Sequence, residues 1–135
     1  MLHIEPQTAG PRRPVMRWLG GKWVLAPRII AKFPPHRIYT EPFCGAASVL
    51  MRKPRSYAEV INDVDSDVCN LFSVLRDETE SKRLIELLHL TPFAREEFEL
   101  AYEPAGDRIE QARRMVVRSY LGFGSASANV EARTG

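Results

Sequence analysis

The sequence predicts an α/β fold with parallel strands, followed by a segment that is helical throughout. Two short β-prone runs, at residues 37–41 and 56–61, each end in turn-forming residues. Apolar residues with helical spacing follow each run, which is the strand–helix–strand–helix order of parallel winding. No strand alternation is present after Glu78. A chain of 135 residues has the length of one domain with one modest core.

The first 15 residues predict a flexible leader, because three prolines, a glycine and paired arginines keep neither helical nor strand periodicity. The folded part is expected to begin near Met16. After the turn Gly20-Gly21-Lys22, a first helix is predicted that stops at Pro34-Pro35. Its apolar residues recur at roughly helical spacing, at Val24, Leu25, Ile29, Ile30 and Phe33.

The first strand, residues 37–41, ends in a turn, and a helix is predicted over Ala46 to Arg52. The second strand closes at Asn62-Asp63, and a third helix is expected from Asp65, which is the candidate N-cap. Beyond Glu78 we expect three further helical stretches and a final loop. They are an apolar run at 84–90, a helix from Thr91-Pro92, a helix over 109–120, and a loop or cut end at 122–135.

Composition narrows the function classes. The chain is 44% hydrophobic and 27% charged, which argues against wholesale disorder. Residues 1–37 contain seven Lys/Arg and one acid, which suits either a basic edge facing phosphates or a solvated arm. Two cysteines without a CxxC spacing support neither a zinc site nor a redox pair. No run has the length of a signal peptide or a membrane span, so we expect a cytoplasmic protein with reduced thiols and no membrane partner.

Candidate ligand-binding residues follow both strands. Glu41-Pro42-Phe43-Cys44-Gly45 comes after the first strand, and Asp63 comes after the second, 22 residues beyond Glu41. In parallel α/β folds, ligands bind beyond the carboxyl ends of the strands, where a glycine turn lets the backbone approach closely. An acid at the second strand can accept hydrogen bonds from both hydroxyls of a ribose. Taken alone, Gly45 is equally consistent with a simple turn.

The motifs together resemble those of Dam-type adenine-specific DNA methyltransferases. The segment Trp18-Leu19-Gly20-Gly21-Lys22, the Glu-Pro-Phe-x-Gly loop and the Ile-Asn-Asp segment occur in the order and spacing of that family. The resemblance covers residues 16–77 closely and 78–129 loosely. It implies the N-terminal part of a Rossmann-like methyltransferase sheet, followed by a helical segment. The implied division is a leader (1–15), an S-adenosylmethionine-binding half-domain (16–78) and the incomplete helical start of a target-recognition region (79–135).

The resemblance also implies a role for each matched residue. Six positions would contact the cofactor S-adenosyl-L-methionine, and these are Trp18, Lys22, Glu41, Phe43, Gly45 and Asp63. The tryptophan would wall the site, the first-strand loop would pass beneath the methionine end, and the aspartate would bind the ribose. The alternatives are a core tryptophan, a solvated lysine and a turn or cap aspartate, although Asp65 is the better candidate for the cap.

Two departures from the family pattern stand out. Ala47 occupies the position of a second loop glycine, which is tolerable if the backbone stays at negative φ. The sequence also contains no Asp/Asn-Pro-Pro-Tyr/Phe motif, which would hold the target amine of a flipped adenine. Its only adjacent prolines, Pro34-Pro35, are followed by His36 and precede the first strand. No catalytic residue is therefore assigned.

The expected function is that of an N-terminal portion of an enzyme that methylates the 6-amino group of adenine in DNA, as in restriction-modification or mismatch marking. Expected partners are double-stranded DNA and a chain carrying the missing catalytic half. The main alternative is a non-catalytic remnant that binds S-adenosylmethionine or DNA, and a less favoured one is another nucleotide-binding α/β protein. Three arginines of the last helix suit either DNA phosphates or solvent, and they are Arg113, Arg114 and Arg118.

Overall fold

A computed structural model describes residues 10–124 of the chain. The elements, in chain order, are α1 (Ala26–Ile30), β1 (Ile38–Glu41), α2 (Ser48–Arg52), β2 (Ala58–Ile61), α3 (Ser66–Arg76), α4 (Glu78–His89), α5 (Arg95–Leu100) and α6 (Arg108–Leu121). The predicted order of strands and helices is confirmed. The predictions for residues 1–9 and 125–135 lie outside the described residues.

The two strands pair in parallel, as predicted, with Ile38 opposite Ala58 and Glu41 opposite Ile61. Among residues 10–124 they form the whole sheet. Because α2 lies in the connection between them, the carboxyl ends of both strands come to the same edge of the sheet. Ile38 and Val60 keep 65% and 51% of their surface exposed. Parallel sheets are normally covered on both faces, so these residues mark a surface suited to further packing.

Side-chain caps set the start of the longer helices. Asp65 Oδ1 accepts a hydrogen bond from the Asp67 amide at 2.9 Å, which confirms Asp65 as the cap of α3. Asp77 ends α3 and caps α4 through the amides of Thr79 and Glu80. The helix predicted from Thr91-Pro92 begins instead at Arg95, because Ala94 donates to the Pro92 carbonyl in a turn that precedes it.

One hydrophobic core joins the sheet to the helices. Its fully buried members come from the start of the folded chain, from the loop before α2 and from α3, α4 and α6, and they include Met16, Ala47, Val68, Leu71 and Met115. Met16 is buried in this core, while the boundary of the folded part near this residue stays a prediction. The core crosses the predicted boundary at residue 78, so the segments on either side of it share their apolar packing. None of the described helices is long and apolar enough to span a membrane.

Candidate functional site

A cleft of about 370 Å³ lies at the carboxyl end of β1. One wall is the turn at residues 18–22, and the other is the loop at 41–46 with the start of α2. Five of the six predicted site residues line it together, namely Trp18, Lys22, Glu41, Phe43 and Gly45. The cleft also has lining residues that no motif pointed to, such as Thr40, Ser48 and Val49. Their only signal in the sequence is adjacency to the matched motifs.

Gly45 is the position where the two walls touch. Its φ is +49°, and a Cβ built there would lie 2.5 Å from Cδ1 and 2.6 Å from Nε1 of Trp18. Any side chain would therefore collide with the indole in addition to adopting a left-handed backbone. The half-buried Trp18 ring thus packs directly on the glycine loop, which fixes the width of the cleft at this point.

Ala47 does not have the negative φ at which its methyl group was expected to be tolerated. Its φ is +48° and its ψ is +37°, which is the left-handed conformation that glycine adopts without cost. It is the only non-glycine residue with positive φ within residues 10–124. The loop retains the geometry that suits a glycine while carrying an alanine, and the mismatch stores about 1–2 kcal/mol of backbone strain.

Lys22 folds back over its own turn. The Gly21 amide donates to the Trp18 carbonyl at 3.0 Å, and Gly20 adopts a φ of +76°. The Lys22 ammonium donates to the Gly20 carbonyl and remains exposed at the rim of the cleft. The side chain therefore brings a positive charge to the cleft without an acidic partner in the described chain.

Glu41 has one carboxylate oxygen engaged and one without a partner. Oε1 accepts a hydrogen bond from the Tyr39 hydroxyl at 2.7 Å, whereas Oε2 is buried and has no hydrogen-bond partner among residues 10–124. Burial raises the pKa of Glu41. The Tyr39 hydroxyl and the Leu50 backbone amide lower the pKa and offset part of this rise, although the Leu50 amide does not form a hydrogen bond with Oε2. Burial also raises the pKa of Tyr39, so its hydroxyl stays protonated and donates. Tyr39 was missed from the sequence, although residues two apart on a strand share a face.

Asp63 does not line the cleft, but its carboxylate holds the loop that does. Oδ2 accepts from the Gly45 amide at 2.8 Å, and Oδ1 accepts from the Asp65 amide at 3.1 Å. Each carboxylate oxygen can accept a second hydrogen bond, so both retain capacity for a ligand. Asp63 therefore ties the end of β2 to the glycine loop after β1.

Cys44 lies in the same loop, in surroundings that disfavour its thiolate form. Burial, together with the negative charges of Asp63 and Glu41, raises the pKa of its thiol to about 12. The thiolate is the reactive form of cysteine, so a raised pKa keeps this thiol protonated and lowers its reactivity at neutral pH. Cys44 contributes packing and backbone contacts to the loop.

The side chains of the three arginines of α6 are largely buried, and each is paired with a carboxylate of the same protein. Arg118 is 1% exposed, donates to Asp67 Oδ2 at 2.8 Å and to the Ala101 carbonyl at 2.7 Å. Arg113 is 7% exposed and pairs with Glu110 and Glu97, which raises its pKa. The third, Arg114, also pairs with Glu110. Both sequence interpretations, phosphate contact and simple solvation, are wrong for these side chains.

Comparison with known proteins identifies relatives of the same segment. Residues 18–124 match the profile of the family described as D12 class N6 adenine-specific DNA methyltransferases. A DNA adenine methylase of Serratia marcescens is 30% identical over 111 residues, covering 81% of this chain and 41% of that protein. A DNA adenine methylase of Haemophilus influenzae is 30% identical over 84 residues, covering 59% of this chain and 29% of that protein.

A third relative is the DNA N-6-adenine-methyltransferase of Escherichia phage P1, which is 33% identical over 78 residues, 57% of this chain and 10% of that protein. The chain thus spans about two fifths or less of the length of these relatives. All six predicted site residues fall within the matched segment.

Proposed function

We propose that this chain forms the S-adenosyl-L-methionine-binding part of an enzyme, because it belongs to the D12 class N6 adenine-specific DNA methyltransferase family. The family requires a methyl donor. We further propose that the parallel pair β1–β2 is the beginning of a Rossmann-like sheet, with the cofactor half at 16–78 and a target-recognition region starting at 79.

The unpartnered oxygen of Glu41 is the observation that carries this proposal. Leaving a buried acceptor without a donor costs about 1–3 kcal/mol, unless a ligand supplies the donor. S-Adenosylmethionine has an ammonium group at its amino-acid end, and Glu41 lies in a cleft of about 370 Å³ with a glycine loop that permits close approach. The residues present therefore fit the cofactor.

The remaining site residues would hold other parts of the same molecule. Trp18 and the 84% exposed Phe43 offer aromatic surfaces to the cofactor. The Lys22 ammonium complements the cofactor's carboxylate. Asp63 would accept hydrogen bonds from the ribose hydroxyls with the lone pairs that the Gly45 and Asp65 amides leave free.

S-Adenosylmethionine supplies an electrophilic methyl group when it is bound, and the residues of this chain bind and orient it. We propose that the complete enzyme transfers this methyl to the 6-amino group of adenine in double-stranded DNA. The groups that hold the amine would come from polypeptide carrying an Asp/Asn-Pro-Pro-Tyr/Phe motif, in a partner chain or the same enzyme. A DNA substrate and the free thiols of Cys44 and Cys69 favour a cytoplasmic location.

Calorimetric titration of the 135-residue chain with S-adenosylhomocysteine tests the cofactor proposal. We expect binding that Glu41→Gln weakens about tenfold, since one charge-assisted hydrogen bond contributes roughly 1.5 kcal/mol. Glu86→Gln is the matched control, because this acid lies on α4 with its side chain 64% exposed and should leave affinity unchanged. Absence of binding, or equal effects of the two substitutions, would show that the cleft is not the cofactor site.

A further inference from the structure

Asn62 binds three polar groups of the loop that follows β1. Its amide donates to the Glu41 carbonyl at 2.9 Å, and its carbonyl accepts from the Cys44 amide at 2.9 Å. Its side-chain Nδ2 donates to the Pro42 carbonyl at 3.2 Å. One residue at the end of β2 therefore fixes the backbone on both sides of Phe43.

The side-chain bond is the one that depends on the residue type. Pro42 has no N–H and cannot extend the ladder of the sheet, so the chain turns away after Glu41. Any residue except proline could supply the two backbone bonds at position 62, but only a side-chain donor of this length reaches the Pro42 carbonyl. Asp63 then holds the Gly45 amide at 2.8 Å, so two consecutive residues secure the loop from 41 to 45.

We propose that Asn62 is a positioning residue for the cofactor. Its side-chain amide holds the Pro42–Phe43 turn, and through it the orientation of Phe43 and Glu41 toward the cleft. This inference rests on the proposed function, because the purpose assigned to the turn is contact with S-adenosylmethionine. Asn62 itself lies outside the lining of that cleft, so it acts through the residues it holds.

Asn62→Asp is the sharpest variant, because it keeps the size of the side chain and replaces the donor with an acceptor facing the Pro42 carbonyl. We expect affinity for S-adenosylhomocysteine to fall about threefold to tenfold, the range for one lost hydrogen bond. Asn70→Asp is the matched control. Asn70 Nδ2 also donates to a backbone carbonyl, that of Arg108, at 2.8 Å, but far along α3 from the cleft. The control should change affinity by less than about twofold.

Amide hydrogen exchange on the chain without ligand separates positioning from general stabilisation. In Asn62→Asp the amides of Cys44 and Gly45 should exchange faster, while those in the middle of α6 should keep their wild-type rates. Faster exchange throughout, or unchanged exchange at Cys44 and Gly45, overturns the proposal. If the wild-type chain does not bind S-adenosylhomocysteine, the proposed function fails, and the exchange pattern still decides whether Asn62 holds the turn.

Discussion

The cleft region and the helical region of this protein differ in whether their buried polar groups have partners. The cleft region comprises residues 18–22, 41–47 and 62–65, and the helical region comprises α3 to α6. In the cleft region a buried oxygen of Glu41 lacks a partner, Ala47 is held in a left-handed conformation and Phe43 is 84% exposed. In the helical region the buried guanidinium groups of Arg113 and Arg118 are paired with carboxylates. The buried Oε2 of Glu80 in the same region also lacks a hydrogen bond, but it lies 2.8 Å from Arg108 in an ion pair.

Under the proposed function, the difference separates residues that serve folding from residues that bind a ligand. Strained backbone and unpaired polar groups persist where the surrounding structure enforces them, and they concentrate at functional sites. Paired and buried charges instead fix how elements pack. Residue type alone misleads here, since the arginines of α6 look like phosphate contacts, while the cleft is lined by an acid, three glycines and two aromatic rings.

The largest effect should come from breaking the ion pair between α6 and α3. Arg118→Met leaves Asp67 with an unbalanced charge, although Gln111 also donates to it at 3.0 Å. We expect the free energy of unfolding in urea to fall by about 3 kcal/mol, the lower end for a broken buried pair, because Asp67 is 20% exposed.

The matched control is Arg95→Met on α5. This arginine is 78% exposed and lies 4.0 Å from Glu99, so its removal should cost less than about 0.5 kcal/mol. A loss below about 1 kcal/mol for Arg118→Met would show that the stability of the helical region does not depend on this pair. The comparison of stabilising ion pairs in the helical region with unpaired groups in the cleft region would then fail.

The next effect should come from the glycine on which Trp18 packs. Gly45→Ala places a Cβ 2.5 Å from the indole and an alanine at a φ of +49°, so the loop or the ring must move. We expect about 2 kcal/mol of lost stability, in urea unfolding, and more than about tenfold weaker binding of S-adenosylhomocysteine by calorimetry.

Gly106→Ala provides the comparison, because a Cβ at Gly106 would meet nothing within 4 Å. That variant should retain wild-type affinity and stability to within about 0.5 kcal/mol. If both variants bind equally well, the contact between Trp18 and the loop does not define the cofactor site.

Much of the fold could be predicted because it follows from local pattern. The strands, their parallel pairing and the Asp65 cap depend on periodicity and turn residues close in sequence. The gathering of five site residues in one cleft was anticipated by motif order. The pairing of Arg113 with Glu110 has the i, i+3 spacing of a helix and was predictable. The distant partners of Arg113 and Arg118 could not be predicted, because Glu97 and Asp67 lie 16 and 51 residues away and are brought near only by helix packing.

The site's finer geometry was also beyond the sequence. The φ of residue 47 is decided by how α2 starts after the loop, which no periodicity reveals. The hydrogen bonds from the Gly45 and Asp65 amides to the Asp63 carboxylate could not be predicted either. An aspartate that binds ribose and an aspartate that holds a loop are the same residue type in a sequence. Whether Asp63 also binds ribose stays a prediction.

The smallest net effect is expected at Ala47. Ala47→Gly relieves the left-handed strain of about 1–2 kcal/mol, but it adds flexibility to the unfolded chain worth about 0.5–1 kcal/mol and removes a buried methyl group worth about 0.8 kcal/mol. The free energy of unfolding, measured in urea, should therefore change by less than about 1 kcal/mol. Ala46→Gly is the matched control at a neighbouring buried alanine without positive φ, and it should lose about 1–2 kcal/mol because no strain is relieved. A clearly smaller loss for Ala47→Gly than for Ala46→Gly would locate the strain at residue 47, whereas equal losses would show that the backbone at residue 47 is not strained.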